Sequence, residues 1–181
     1  LSDAEENERT RLADASARNL RTGVQGACGA SEIDIRPFDA AYAASAAVIE
    51  DSVMGEDAWS AASIADELPR RDRTWWMAVR DGELVGYAGG MLVDGDMQLL
   101  KIAVVPEERR RGVARALLAR VAEDAENLAA TSMSLEVRAS NEGARAFYEG
   151  AGFVCEGMRP RYYTGGEDAA IMHAALPLRL G

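Results

Sequence analysis

The segment richest in chemistry is Val104-Val105-Pro106-Glu107-Glu108-Arg109-Arg110-Arg111-Gly112-Val113-Ala114-Arg115. A buried strand stops at a proline, crosses a short basic loop and enters a helix at a glycine followed by small residues. The first turn of a helix leaves backbone N–H groups without partners and carries partial positive charge. Small residues let an anion come close to those groups. The arginines add charge, so the segment is suited to a pyrophosphate. It is not a Walker loop, because the lysine and the Mg²⁺-binding hydroxyl of that pattern are missing, and it is not G-x-G-x-x-G. Read without that ligand, Arg109, Arg110 and Arg111 are solvated loop charges and Gly112 is a packing glycine.

Other reactive side chains are few. The single histidine, His173, lies in an apolar strand-like stretch and is a poor candidate for a catalytic triad. Cys28 and Cys155 are too few for a disulfide framework and read as reduced thiols. No His and Cys cluster stands at metal-ligand spacing, so no metal is expected.

The elements that must position these residues follow from periodicity. Residues 1–31 read as a separate arm, mobile or loosely docked, and residues 32–181 as the folded domain. Ile33 and Ile35 alternate with charges in a first strand that Pro37 ends. Asp39 is placed to cap a helix to about Asp51, and Ser60 a second one closed by Pro69. Residues 74–80 and 84–88 form a hairpin across Asp81-Gly82. Met97 to Val105 is almost continuously apolar, so both faces of that strand are expected to be covered. Val113, Leu117, Val121, Ala125 and Leu128 stand at helical spacing. Met133, Leu135 and Val137 share one strand face, and Ser134, Glu136 and Arg138 the other. Asn141 can cap a helix whose stripe is Ala144, Phe147, Tyr148 and Ala151, and Gly152 ends it. Two last strands, about 153–159 and 169–176, complete the order β-αα-βββ-α-β-α-ββ. This is an α+β fold with a mixed sheet flanked by helices.

The chain has 181 residues, 20 basic against 30 acidic, for a net charge of −10. That excludes a nucleic-acid binder working through a broad basic surface and suits a basic partner. No run approaches the ~18 apolar residues of a membrane span. The acidic Leu1-Ser2-Asp3-Ala4-Glu5-Glu6 start has no apolar segment of the secretory kind, and a cytoplasmic location is expected.

Arg109-x-x-Gly112-x-Ala114 resembles the acyl-CoA signature of the GCN5-related N-acetyltransferases (GNAT). Leu135-Glu136-Val137-Arg138-Ala139-Ser140-Asn141, with Phe147-Tyr148-Glu149, Gly152-Phe153 and Arg159-x-x-Tyr162-Tyr163, resembles one branch of that family. The branch is RimI, which acetylates the N-terminal alanine of a small-subunit ribosomal protein. Asp57-Ala58-Trp59-Ser60 resembles its Pro-Trp-Ser segment, with Ala58 in place of proline. The likeness spans about Glu32–Leu176.

The resemblance implies acetyl-CoA as the acetyl donor. The sheet would splay after the strand ending at Val105. Backbone groups of Ile102, Ala103 and Val104 would pair with the pantetheine arm. Amides of Arg110, Arg111, Gly112, Val113, Ala114 and Arg115 would hold the pyrophosphate, and Arg109 of the signature would also bind the cofactor. Asn141 and Tyr148 would also contact the cofactor. Glu136 would be the general base, acting directly or through water, and Tyr148 the acid that protonates the departing thiolate. A phenol of ordinary pKa ~10 is matched to a thiolate of similar basicity. Trp59, Tyr162 and Tyr163 would wall a groove for a protein N-terminus. The expected partner is a basic protein N-terminus, of a ribosomal protein such as small-subunit protein eighteen, and the enzyme is expected to be a monomer. Two alternatives stand beside it: a GNAT acetylating other termini, lysines or small-molecule amines, and a non-catalytic acyl-CoA-binding regulator. On their own, Glu136 reads as a solvated strand charge, Tyr148 as core, Asn141 as a helix cap and the tyrosine pair as strand aromatics.

Overall fold

The computed structural model describes residues 32–180, so residues 1–31, expected to form a separate arm, lie outside the described residues. The strands are β1 (Asp34–Pro37), β2 (Arg73–Arg80), β3 (Glu83–Val93), β4 (Asp96–Val104), β5 (Ser132–Arg138), β6 (Val154–Arg159) and β7 (Ala169–Ala175). The helices are α1 (Ala43–Met54), α2 (Ala61–Glu67), α3 (Val113–Asn127) and α4 (Glu142–Gly150). They build one mixed sheet of seven strands in the order β1-β2-β3-β4-β5-β7-β6. Only β4 and β5 run parallel among neighbours, joined through the α3 crossover. Among the described residues no helix is long and apolar enough to cross a membrane.

The caps behave as the sequence predicts. Asp39 accepts from the Ala41 amide at 2.9 Å, although it opens a short 3₁₀ turn before α1 rather than α1 itself. Ser60 Oγ accepts from Ser63 N at 3.1 Å, and Asn141 Oδ1 from Ala144 N at 3.0 Å. Each satisfies a helix-start donor that would otherwise lack a partner.

Period-two alternation splits the core into two layers. Trp75, Met77, Val79 and Tyr87 face α1 and α2, packing with Ala46, Ile49 and Ile64. Met133, Leu135 and Val137 face α3 and α4, packing with Leu117, Leu118, Val121 and Tyr148. Leu117 and Leu118 are wholly buried, each contributing roughly 1.5–3 kcal/mol by leaving water.

The structure extends β3 five residues beyond the expected end at Ala88. Gly89 and Gly90 look like breakers, but close packing needs them there. A Cβ on Gly89 would lie 2.0 Å from Trp75 Cε3, so the indole occupies the space of a side chain. Opposite them, Gly89 pairs with Lys101 and Gly90 with Leu99, leaving Leu100 as a bulge in β4. Bulges bend a strand and re-aim it. The bend has a consequence for β5: the parallel register runs only through Asp96–Ser132, Met97–Met133 and Gln98–Ser134. Beyond Gln98 the two strands part. β4 is covered on both faces as expected, with Met97, Leu99 and Val104 in one core layer and Ala103 in the other, and what opens is its edge toward β5, bordered by the partly buried Leu100, Lys101 and Ile102.

Candidate active site

The parting of β4 and β5 opens a cleft of about 830 Å³. Its closed end is pinned by Asp96, whose carboxylate accepts from Ser132 Oγ at 2.6 Å and from Ser134 Oγ. One strand edge of β4, from Leu99 to Val104, has no partner on the β5 side. Of the three residues expected to pair with pantetheine, Ile102, Ala103 and Val104 all line the cleft. The Val104 carbonyl already accepts from Arg109 Nε at 3.1 Å.

The basic loop leads from the end of β4 into α3. Arg110 and Gly112 both take left-handed backbone, with φ of 63° and 85°. Glycine suits the second position, and open space surrounds its missing Cβ. The first α3 amide bonded back is Ala116 N, to Gly112 O at 2.9 Å. The amides of Val113, Ala114 and Arg115 therefore have no helical partner. Their donor set fits a diphosphate, and Arg109, Arg110, Gly112, Val113, Ala114 and Arg115 all line the cleft. The arginines are not equivalent. Arg109 is tied to Val104, and Arg111 lies 3.7 Å from Glu108 and outside the cleft lining. Glu108 is itself buried and paired with Arg80 Nε at 3.1 Å.

Glu136 and Tyr148 face the cleft from opposite layers. Leu135 and Val137 point toward α3 and α4, so Glu136 and Arg138 point to the α1 and α2 side. Glu136 Oε1 lies 3.0 Å from Arg159 Nη1 on β6. Tyr148 is buried on α4 between Phe147 and Phe153, with ring centroids at 5.2 and 5.6 Å. Burial, with the Tyr163 phenol beside it, pushes the Tyr148 phenol well above the ordinary tyrosine range. It therefore stays protonated at neutral pH, but as a weaker acid than the ordinary phenol expected to match the thiolate in basicity. Asn141 lines the cleft while its side-chain oxygen caps α4.

The expected wall residues divide. Tyr163 lines the cleft, and its hydroxyl donates to the Glu136 carbonyl at 3.0 Å. Burial, more than any charge, raises its phenol to about 12. Tyr162 stays exposed outside the cleft lining, edge-on to Tyr163 and under the Arg159 guanidinium at 5.0 Å. Trp59 also lies off the lining, packed on Trp75 at 6.0 Å and beneath the Lys101 ammonium at 5.0 Å. Among the described residues no group of three or more His, Cys, Asp or Glu is arranged to hold a metal.

Sequence reading missed the polar frame around the cleft mouth. Arg138 donates to Asp57 on the α1–α2 turn and to Glu167 Oε2 on the β6–β7 loop at 2.6 Å. Asp57 Oδ1 also accepts from Thr164 Oγ1 at 2.7 Å and Thr164 N at 3.2 Å, while Glu167 Oε1 takes Ser140 Oγ at 2.6 Å. Both carboxyls are held below the usual range, Asp57 first by the Thr164 hydroxyl and Glu167 first by that of Ser140. Arg138 also stacks on the Tyr163 ring at 4.3 Å.

The sequence model of the acetyltransferase (GNAT) family matches residues 42–153, which include the cleft's β4 edge, the basic loop, Glu136 and Tyr148. The chain belongs to the GNAT family of acetyltransferases. Ribosomal protein bS18-alanine N-acetyltransferase of Escherichia coli (strain K12) is 35% identical over 125 residues, which is 67% of this chain and 82% of that protein. The crystal structure of the ribosomal-protein-S18-alanine N-acetyltransferase from Escherichia coli superposes with a TM-score of 0.72 at 30% identity, covering 80% of this chain and 94% of that one. Ard1 from Thermoplasma volcanium gives a TM-score of 0.72 at 28% identity, over 79% and 97%. The GNAT fold and the likeness to the RimI branch expected from the sequence are thus both found.

Proposed function

We propose that this acetyltransferase moves the acetyl group of acetyl-CoA onto the α-amino nitrogen of a protein N-terminus, the N-terminal alanine of ribosomal protein bS18 being the favoured substrate. The observation that carries this reading is the open β4 edge facing Glu136 across a cleft whose far wall holds Tyr148. The likeness to the Escherichia coli bS18-alanine enzyme supports the choice of substrate.

Acetyl-CoA supplies the activated thioester. The unpartnered amides at the start of α3 receive its diphosphate, and the main chain of Ile102 and Ala103 takes the pantetheine arm. Glu136 accepts the proton that the substrate ammonium must lose, directly or through water. The freed amine attacks the thioester carbonyl and the carbon–sulfur bond breaks, the Tyr148 hydroxyl gives its proton to the departing thiolate, and the second proton lost by the nitrogen passes through solvent to restore the tyrosine. Proton transfers of this kind contribute ~10²–10⁴-fold in rate. Tyr163, with Tyr162 edge-on beside it, walls the peptide side, and the 55–59 turn that carries Trp59 forms the opposite wall. The acidic chain favours encounter with a basic ribosomal protein.

Purified protein incubated with acetyl-CoA and either an alanine-starting peptide or spermidine tests the reading. The expected product is a peptide acetylated on its α-nitrogen, located by fragment-ion mass spectrometry. Faster turnover of spermidine, or acetyl found only on side chains, would replace it with a small-molecule or lysine acetyltransferase.

A further inference from the structure

Lys101 is the one lysine in the chain. It lies in β4 beside the bulge, lines the cleft, and keeps only 11% of its side chain exposed. Its ammonium donates to Glu50 Oε2 at 2.8 Å and to the Asp57 carbonyl at 3.2 Å, and it sits over the Trp59 ring at 5.0 Å. Two of these partners lie on the turn that joins α1 to α2, and the third ends the buried part of α1.

Glu50 is fully buried, a costly place for a carboxylate. Three donors meet it: Trp59 N at 2.9 Å, the Tyr87 hydroxyl, and Lys101. Tyr87 is buried beside that charge, so its phenol stays neutral and remains a donor. The cluster ties α1, the 55–59 turn, β3 and β4 together at the level where β4 leaves β5. A buried ion pair is a weak source of net stability, yet removing one partner leaves an uncompensated charge. Its physical product is a fixed geometry: the ammonium holds the turn at one distance from β4.

We propose that Lys101, oriented by Glu50, is a positioning residue that fixes the 55–59 turn as the peptide-side wall and so sets how tightly the acceptor peptide is held. This rests on the reading of the cleft as a peptide N-acetyltransferase site. Lys101 acts through the Asp57 carbonyl and Trp59 and takes no part in proton transfer.

The test uses the full chain with Lys101→Met, and Glu50→Gln combined with Lys101→Met as the variant that leaves no lone buried charge. Peptide KM is expected to rise at least about fivefold in both, with kcat and acetyl-CoA affinity unchanged within about twofold, the pattern of lost ground-state binding. Lys101→Arg, which keeps the charge, is expected to recover part of the loss. Unchanged peptide KM in the folded variants, or a parallel loss of acetyl-CoA affinity, overturns the proposal. Hydrogen exchange at the Trp59 amide separates this claim from the functional reading. If wild-type protein acetylates no peptide, the functional reading fails. Faster Trp59 exchange in Lys101→Met still supports the positioning role, and unchanged exchange overturns it.

Discussion

Arg138 and Asp57, 81 residues apart in the chain, pair across the mouth of the cleft. The same guanidinium reaches Glu167, so one side chain of β5 joins the α1–α2 turn to the β6–β7 loop. The two loops that flank the opening are thereby held at a set separation. Arg138 is the residue for this because its planar fork serves two carboxylates at once.

Replacing Arg138 with Met is expected to raise peptide KM several-fold while changing global stability by less than about 1 kcal/mol, because the pairs are partly solvated. Steady-state kinetics beside thermal melts check this. A large fall in melting temperature with unaltered KM would show that the pairs serve stability instead.

The clamp also has a defined pH behaviour. Asp57 and Glu167 titrate below their ordinary values in the folded protein. Their contribution is fully present above the ordinary carboxylate range and is lost as pH falls through the lowered values. Thr164→Val removes the first cause of the Asp57 shift, so its carboxyl midpoint, followed by carbon NMR, is expected to move upward. An unmoved midpoint would contradict the assignment.

Glu136→Gln and Tyr148→Phe are each expected to lower kcat by at least about tenfold, given the usual worth of a positioned acid or base. Acetyl-CoA affinity should change little, because neither removes a phosphate contact. Wild-type turnover in either variant would take that residue out of the mechanism. Since burial raises the Tyr148 phenol, no alkaline loss of kcat from its ionisation is expected below pH ~10, its ordinary value.

Gly112→Glu is expected to weaken acetyl-CoA binding by at least about tenfold. It forces a side chain onto left-handed backbone and sets a negative charge at the amides meant for an anion. Calorimetry checks this, and unchanged affinity would remove the diphosphate from the start of α3.

Much of the fold was legible because it rests on local signals. The Asp81-Gly82 turn, the caps Ser60 and Asn141, and the stripes of α3 and α4 each need only neighbouring residues. The missed features are long-range. The strand expected over 84–88 stops short of Gly89 and Gly90, since nothing nearby in the chain announces that the Trp75 ring fills the space above Gly89. Lys101 vanished into an apolar run, although a lone lysine inside a buried strand asks for a buried carboxylate, and Glu50 supplies it. Trp59 is expected in the groove wall from the resemblance of Asp57-Ala58-Trp59-Ser60 to a Pro-Trp-Ser segment, but its ring packs on Trp75 behind the cleft lining, a long-range contact the segment does not announce. Glu136, Tyr148 and Tyr163 all line the cleft because they lie on β5, α4 and the loop after β6, and those elements border the splay.

The most direct measurement is a crystal structure with coenzyme A bound. The account predicts the diphosphate against the amides of Val113, Ala114 and Arg115, the pantetheine arm along the free edge of β4, and the sulfur near the Tyr148 hydroxyl. Coenzyme A bound elsewhere, or a cleft filled by the protein's own side chains at saturating ligand, would contradict it.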